Sequence, residues 1–216
     1  MIRKRERSES IKVDNVKVKD WSTEFTNAMA QLAQATSIII IDTGSALPVS
    51  TMPVFGGVNS FGFAKSMRVE ILTKLHPEGS PVNAEDPGMG NLLKRKEITR
   101  SYYIAGHLLN NNLGGPGSTW SNLTPIPQKA NQTHEQEVES KVKKAVNTDG
   151  LVMFYSVDVT YGRTLNSQLL SDIADPVKNP ADAGKPDVIK AKQMVVQAEV
   201  GVPLGLNCIA YELEND

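Results

Sequence analysis

The stretch whose reading decides the fold is residues 102–146, YYIAGHLLNNNLGGPGSTWSNLTPIPQKANQTHEQEVESKVKKAV. SYYIAGHLL, from Ser101, is rich in aromatic and branched residues and predicts a strand. NNNLGGPGSTWSN is too dense in Gly and Asn for regular structure. Asn131 to Val146 is the clearest helix in the chain. At about 100° per residue, Val138, Val142 and Ala145 fall on one face. Asn131 points the same way at the first turn, with His134 and Glu135 on its flanks. Glu139 falls toward the edge of that face, and Lys141, Lys143 and Lys144 lie mostly outward.

An asparagine directed into a domain needs partners, because an unpaired buried amide costs about 1–3 kcal/mol. Two roles stay open for Asn131. It is an N-terminal cap or buried structural amide, or its amide oxygen is a ligand for a hard cation such as Mg²⁺. His107 is one of three histidines, with His76 and His134. It follows Gly106, which leaves room for close approach. It also ends a strand just before an irregular loop, a usual position for a functional side chain. His76 precedes Pro77 and is expected at a surface turn. His134 is expected as a supporting hydrogen-bonder or an ordinary helix residue.

Composition narrows the remaining possibilities. The chain has 216 residues, 40% hydrophobic, enough for one sizeable core. Its formal net charge of -1 gives no overall basic field, so nucleic-acid binding would need a local patch. The single cysteine, Cys208, excludes an internal disulfide and a cysteine-rich zinc site, and is expected to be buried. No apolar run approaches the roughly 20 residues needed to span a bilayer. MIRKRERSES has no apolar run behind it and is not a secretory signal. The expectation is a soluble product made in the cytoplasm, carried elsewhere only by another machine, with no membrane association. GxSxG, P-loop and GxGxxG motifs are absent from the sequence. LGGPG lacks the lysine of a phosphate-cradling loop and reads as a flexible segment.

Working outward, residues 1–10 form a basic tail. Residues 11–19 alternate as an edge strand, 22–35 carry Phe25, Met29 and Leu32 at helical spacing, and 37–41 (SIIII) form a buried strand. Residues 42–66 read as loops and short strands, with the character of a hinge. Residues 67–75 are strand-like, HPEGSPVNAEDPGMG is a long loop, and 91–98 form a short basic helix. Residues 151–161 are a strong strand and 166–187 a polar loop. VIKAKQMVVQAEVGVPLGLNCIAYEL closes the chain with two or three strands. The sum is an α+β fold with a mixed or antiparallel sheet and few helices. Residues 1–40 form an N-terminal tail, strand and helix, a delivery or packing segment, and 41–216 the main domain.

Gly106-His107, then Asn122-Leu123-Thr124-Pro125, then Asn131, then Glu139, resembles the DNA/RNA non-specific endonuclease family, the ββα-metal or His-Me finger nucleases. HLLN, LGGPG and NLTP, with LTKLHPEGSP upstream, are similar to nuclease-like domains of polymorphic toxins and contractile-injection-system cargo. The resemblance covers roughly residues 60–165 well, the C-terminal strands weakly, and does not explain residues 1–40. It implies a ββα-metal core and cleavage of DNA or RNA phosphodiester bonds with Mg²⁺ or Mn²⁺. It implies His107 as general base, Asn131 as metal ligand and Glu139 as the residue orienting metal-bound water. Arg100 and Asn122 are assigned to substrate binding, although Asn122 fits a loop-fixing role better than a metal ligand. It further implies an immunity protein or injection-system component as partner, and a toxin effector delivered to a target cell. The chain departs from the family at Ile104-Ala105, where Asp-Arg often stands. That arginine would help hold the scissile phosphate; Arg100, Arg95, Lys94 and Arg163 are the candidate substitutes. The departure favours, as alternative, a catalytically inactive nuclease-like cargo or binding protein.

Overall fold

The structure is a computed structural model that describes residues 2–4, 48–85, 89–97, 100–164 and 184–215. The strand expected at 11–19, the helix at 22–35 and the strand at 37–41 lie outside these residues, as does most of the loop expected at 166–187. Strands β1 (Ile2–Lys4), β2 (Val54–Phe55), β3 (Ser66–Leu72), β8 (Met153–Thr160) and β9 (Gly205–Asn215) make one antiparallel sheet, in the order β1-β9-β8-β3-β2. β4 (Lys96–Glu97) pairs with β5 (Arg100–Ser101), and β6 (Tyr103–His107) with β7 (Leu123–Pro127), both antiparallel. The fold is α+β with antiparallel sheets and few helices, among the described residues.

The strand periodicity explains the main sheet. Met67, Val69 and Ile71 of β3 are buried while Arg68 is exposed, the alternation of a strand with one face on a core. That face carries Tyr155 and Val157 of β8 and Cys208 and Ala210 of β9. Against it packs a helical run over 128–148, here α2. It consists of an α segment Gln128–His134, a π turn Glu135–Glu139, a second α segment Ser140–Lys143 and a second π turn Lys144–Thr148. Val138, Val142, Ala145 and Val146 of α2 are buried in the core with Leu108, Leu109 and Leu113. Each fully buried valine or leucine contributes about 1.5–3 kcal/mol relative to exposure.

Three sequence expectations are corrected. The stretch 188–213 is not two or three strands: its first half belongs to helix α3 (Pro186–Glu199), and only β9 is a strand. Pro186 presets the first helical turn, and Val195, Val196 and Glu199 form its buried side. The branched pair Val195-Val196 gave that segment a β-like composition. The basic helix of 91–98 is shorter: α1 spans only Met89–Leu92 before β4 begins. Residues 48–56 are no hinge, because Thr51 N–H donates to Ile71 O at 2.8 Å and Gly56 N–H to Ser66 O at 3.0 Å, tying them along β3.

The β6–β7 hairpin runs straight into α2. Gln128, the first helical residue, donates its N–H to Tyr102 O at 2.9 Å, so the chain reverses at Pro127. The helix then follows β6: Asn131 lies beside Gly106, and Glu139 bonds Asn110.

Candidate active site

His107 ends β6, half-buried. Its Nε2 lies 3.2 Å from Ser80 O. A carbonyl oxygen only accepts, so Nε2 carries the proton and, in the neutral ring, Nδ1 keeps its lone pair. Burial holds the His107 pKa below its ordinary value, and the Ser80 bond offsets this in part. The ring is therefore an uncharged base at neutral pH, with its acceptor nitrogen fixed by one contact.

Ser80 is placed by two loops laced together. Ser80 N–H donates to Gly115 O at 3.0 Å, Gly117 N–H to Ser80 Oγ at 2.8 Å, and the N–H groups of Asn83 and Ala84 to Gly117 O. A Cβ on Gly115 would fall on Leu109 O, and one on Gly117 on Pro81 O. LGGPG is thus glycine-rich because two backbones touch there, which corrects the expectation of a flexible loop.

Asn131 sits inside the first turn of α2, behind the N-cap Pro127, so it is no helix cap. A Cβ on Gly106 would collide with Ile126 and lie 3.2 Å from Asn131 Oδ1. The glycine before His107 is therefore the space into which the Asn131 amide fits. That amide is only partly buried and makes no hydrogen bond with any described residue. Such an oxygen is free to take a water or a cation.

Asn122, expected to bind substrate, is fully buried. Its Oδ1 accepts from Leu109 N–H at 2.8 Å, and its Nδ2 donates to Leu109 O and Pro116 O, each at 3.0 Å. Every group of the side chain is spent on backbone, so Asn122 braces the loop after His107 and cannot face a ligand. Arg100 is exposed on β5, before the hairpin and at the opposite end of β6 from His107.

Glu139 is buried in the core. Its Oε2 accepts from Asn110 Nδ2 at 2.9 Å, and its Oε1 lies 3.7 Å from His134 Nδ1. The π turn explains the placement. Its i→i+5 spacing turns His134 and Glu139 together into the core, where a wheel of 3.6 residues per turn put them at the flank and edge. His134 Nε2 lies 3.5 Å from Cys208 Sγ, and the Tyr155 hydroxyl is buried in the same region. Burial, then the hydrogen bond that the protonated Glu139 carboxyl donates to the Glu135 carboxylate, pushes the Glu139 pKa up to about 8. Burial pushes His134 down to about 4. The 3.7 Å pair is thus two neutral groups at pH 7 rather than a salt bridge, and His134 Nδ1 and Tyr155 Oη have no hydrogen-bond partner. The cluster belongs to the core, and the metal-orienting role expected of Glu139 lacks geometric support. Cys208 is buried as expected, its thiol pushed up to about 12 by burial.

Ser80 and Asn110 escaped sequence reading. Ser80 acts through its carbonyl, which no side-chain motif encodes. Asn110 did leave a signal: its Oδ1 accepts from Asn112 N–H at 2.9 Å, the Asx turn favoured in Asn-rich runs. No group of three or more His, Cys, Asp or Glu able to hold a metal occurs among the described residues. No helix among them is long and apolar enough to cross a membrane. The chain matches no family model, no curated protein and no solved structure.

Proposed function

We propose that this chain is a metal-dependent endonuclease that cleaves DNA or RNA phosphodiester bonds without base selectivity, on a ββα-metal core made of β6, β7 and α2. The observation that carries the proposal is the unpartnered Asn131 amide packed on Gly106, the residue before a neutral His107 whose Nε2 is capped by Ser80 O. His107 Nδ1 takes a proton from the water that attacks phosphorus. Ser80 keeps the ring in the tautomer that leaves Nδ1 open. Asn122 and the laced glycine loops hold the histidine's flank rigid. Asn131 supplies one neutral oxygen, which fits Mg²⁺ or Mn²⁺ carrying mostly water and substrate phosphate in its remaining positions. A cation bound there would neutralise charge developing on the phosphate oxygens. Contacts of this kind read backbone rather than bases. The biological setting proposed with it is a toxin effector delivered to a target cell and answered by an immunity protein.

A second reading is favoured by Ala105 and by the Glu139 carboxyl being buried away from Asn131. It makes the chain an inactive nuclease-like cargo or binding protein of a delivery system. Incubating purified full chain with plasmid DNA and with RNA, in Mg²⁺, Mn²⁺ or EDTA, separates the two. Degradation in either metal that EDTA stops supports the endonuclease; intact nucleic acid across divalent metals supports the second reading.

A further inference from the structure

Nine large apolar side chains are exposed among the described residues, and five of them, Val49, Met52, Val54, Val58 and Phe61, fall between positions 49 and 61. Residues 48–64 carry no Asp, Glu, Lys or Arg, in a chain that is 22% charged. Single exposed apolar side chains are ordinary on a soluble protein, whereas a cluster of them without charge marks an interaction surface.

The cluster lies on a sheet edge. β2 is the last strand of the order β1-β9-β8-β3-β2. Val54 and Phe55 face Arg68 and Met67 of β3, Lys65 N–H donates to Gly57 O at 3.0 Å, and Val58 bridges to Ala64. Residues 54–58 are thus the outer arm of a hairpin. Exposure alternates along it: Met52, Val54, Gly56 and Val58 are exposed, while Pro53, Phe55 and Gly57 are half-buried. Phe55 packs against the core. The outward positions of an antiparallel strand with one wet face are ordinarily polar. Here they hold Met52, 75% exposed, and Val54, 63% exposed, with Val49 at 72% just before them. The row is bordered by Arg68, opposite Val54, whose guanidinium pairs with Glu70. An apolar row beside a paired charge has the centre and the rim of a protein interface.

We infer that this row is the contact between two copies of the chain, packed across a twofold axis. A twofold sets each side chain near its own counterpart, where a charge would meet its like. The row holds no charge, and Arg68 at its border is already neutralised by Glu70. Pro53 has no N–H and blunts the edge against a further strand, so the surface offers side chains rather than a template for an added peptide. The area fits as well. A fully exposed apolar side chain of this size offers roughly 100 Å². Scaled by exposure, the five present roughly 300 Å² per copy. In an interface about 65% apolar this corresponds to roughly 900 Å² over both copies, close to the roughly 1,000 Å² of the smallest specific interfaces, as in a reversible dimer. The inference stands apart from the endonuclease reading.

The test is sedimentation velocity of the full chain, from low micromolar to several hundred micromolar protein. Wild type is expected to move toward twice its mass of 23.5 kDa as concentration rises. Met52→Glu and Val54→Glu should each raise the dissociation constant at least about 10-fold, because the twofold would bring two like charges together. Val54→Thr, which keeps the shape of the side chain, should weaken the dimer less and guards against a charge effect on folding. Ile189→Glu, at an exposed apolar position of α3, should leave the dimer unchanged, and melting temperatures check that each variant is folded. Wild type that stays monomeric throughout overturns the inference and leaves the row to another partner. A dimer indifferent to Met52→Glu and Val54→Glu also overturns it, as does one weakened equally by Ile189→Glu.

Discussion

Glu139→Gln gives a sharp test of the buried cluster beneath α2. The Glu139 carboxyl is almost fully enclosed, accepts from Asn110, and stands beside His134, Glu135, Tyr155 and Cys208, with Lys143 neutralising Glu135 at 2.5 Å. Its pKa rises from 4.5 to about 8, first because of burial and then because the Glu135 carboxylate bonds its protonated form. A carboxyl raised in the folded state holds its proton after the unfolded chain has lost it. Its contribution is thus fully present below 4.5, falls as pH rises, and levels off near 8. The loss is up to about 1.4 kcal/mol per pH unit inside that window. His134, depressed from 6.5 to about 4, acts oppositely: its folded form binds fewer protons between those values, so its contribution rises with pH there. The two nearly cancel at mildly acid pH, and wild type should lose stability from about 6.5 toward 8. Glutamine mimics the protonated acid, since it still accepts from Asn110 and donates to Glu135. Urea unfolding of both proteins across this range should show Glu139→Gln gaining on wild type as pH rises. A difference that stays constant, or shrinks with pH, would refute the argument. The same variant should retain nuclease activity, because Glu139 lies apart from Asn131.

Two further predictions separate bracing from chemistry. Asn122→Ala strips three hydrogen bonds from Leu109 and Pro116, each worth about 1 kcal/mol. It should cost about 3 kcal/mol in urea unfolding and lower Tm by roughly 6–12 °C in calorimetry; a loss under about 1 kcal/mol contradicts the bracing role. Asn131→Ala removes an amide that no described residue uses, so it should shift stability by less than about 0.5 kcal/mol while abolishing metal-dependent cleavage. Unchanged cleavage would remove Asn131 from the site.

Local patterns carried the parts of this molecule that rest on one element. The aromatic and branched stretches over 101–109 and 151–161 are strand signals, and strands Tyr103–His107 and Met153–Thr160 lie within them. The spacing of Val138, Val142 and Ala145 gave the core face of α2 directly. Signals that depend on two segments meeting were hidden. The glycines at 115 and 117 are explained only when residues 80–84 lie against them. Ser80 O meets His107 from 27 positions away in the chain. The π turn brought Glu139 from the edge of the wheel to the interior, beside His134 five residues before it. The helix Pro186–Glu199 was obscured by its valines, whose branched side chains suit strands in isolation. The inward direction of Asn131 was legible in the helix spacing, whereas its meeting with Gly106 is seen only in the fold.

The central claim is that His107 Nδ1 acts as the general base. Its most direct measurement is the initial rate of plasmid cleavage in Mg²⁺ by wild type beside His107→Ala, both checked for the same melting temperature. The account predicts cleavage by wild type and its loss by at least about 100-fold in His107→Ala, the range for removal of a general base. A folded His107→Ala protein that cuts at the wild-type rate contradicts it.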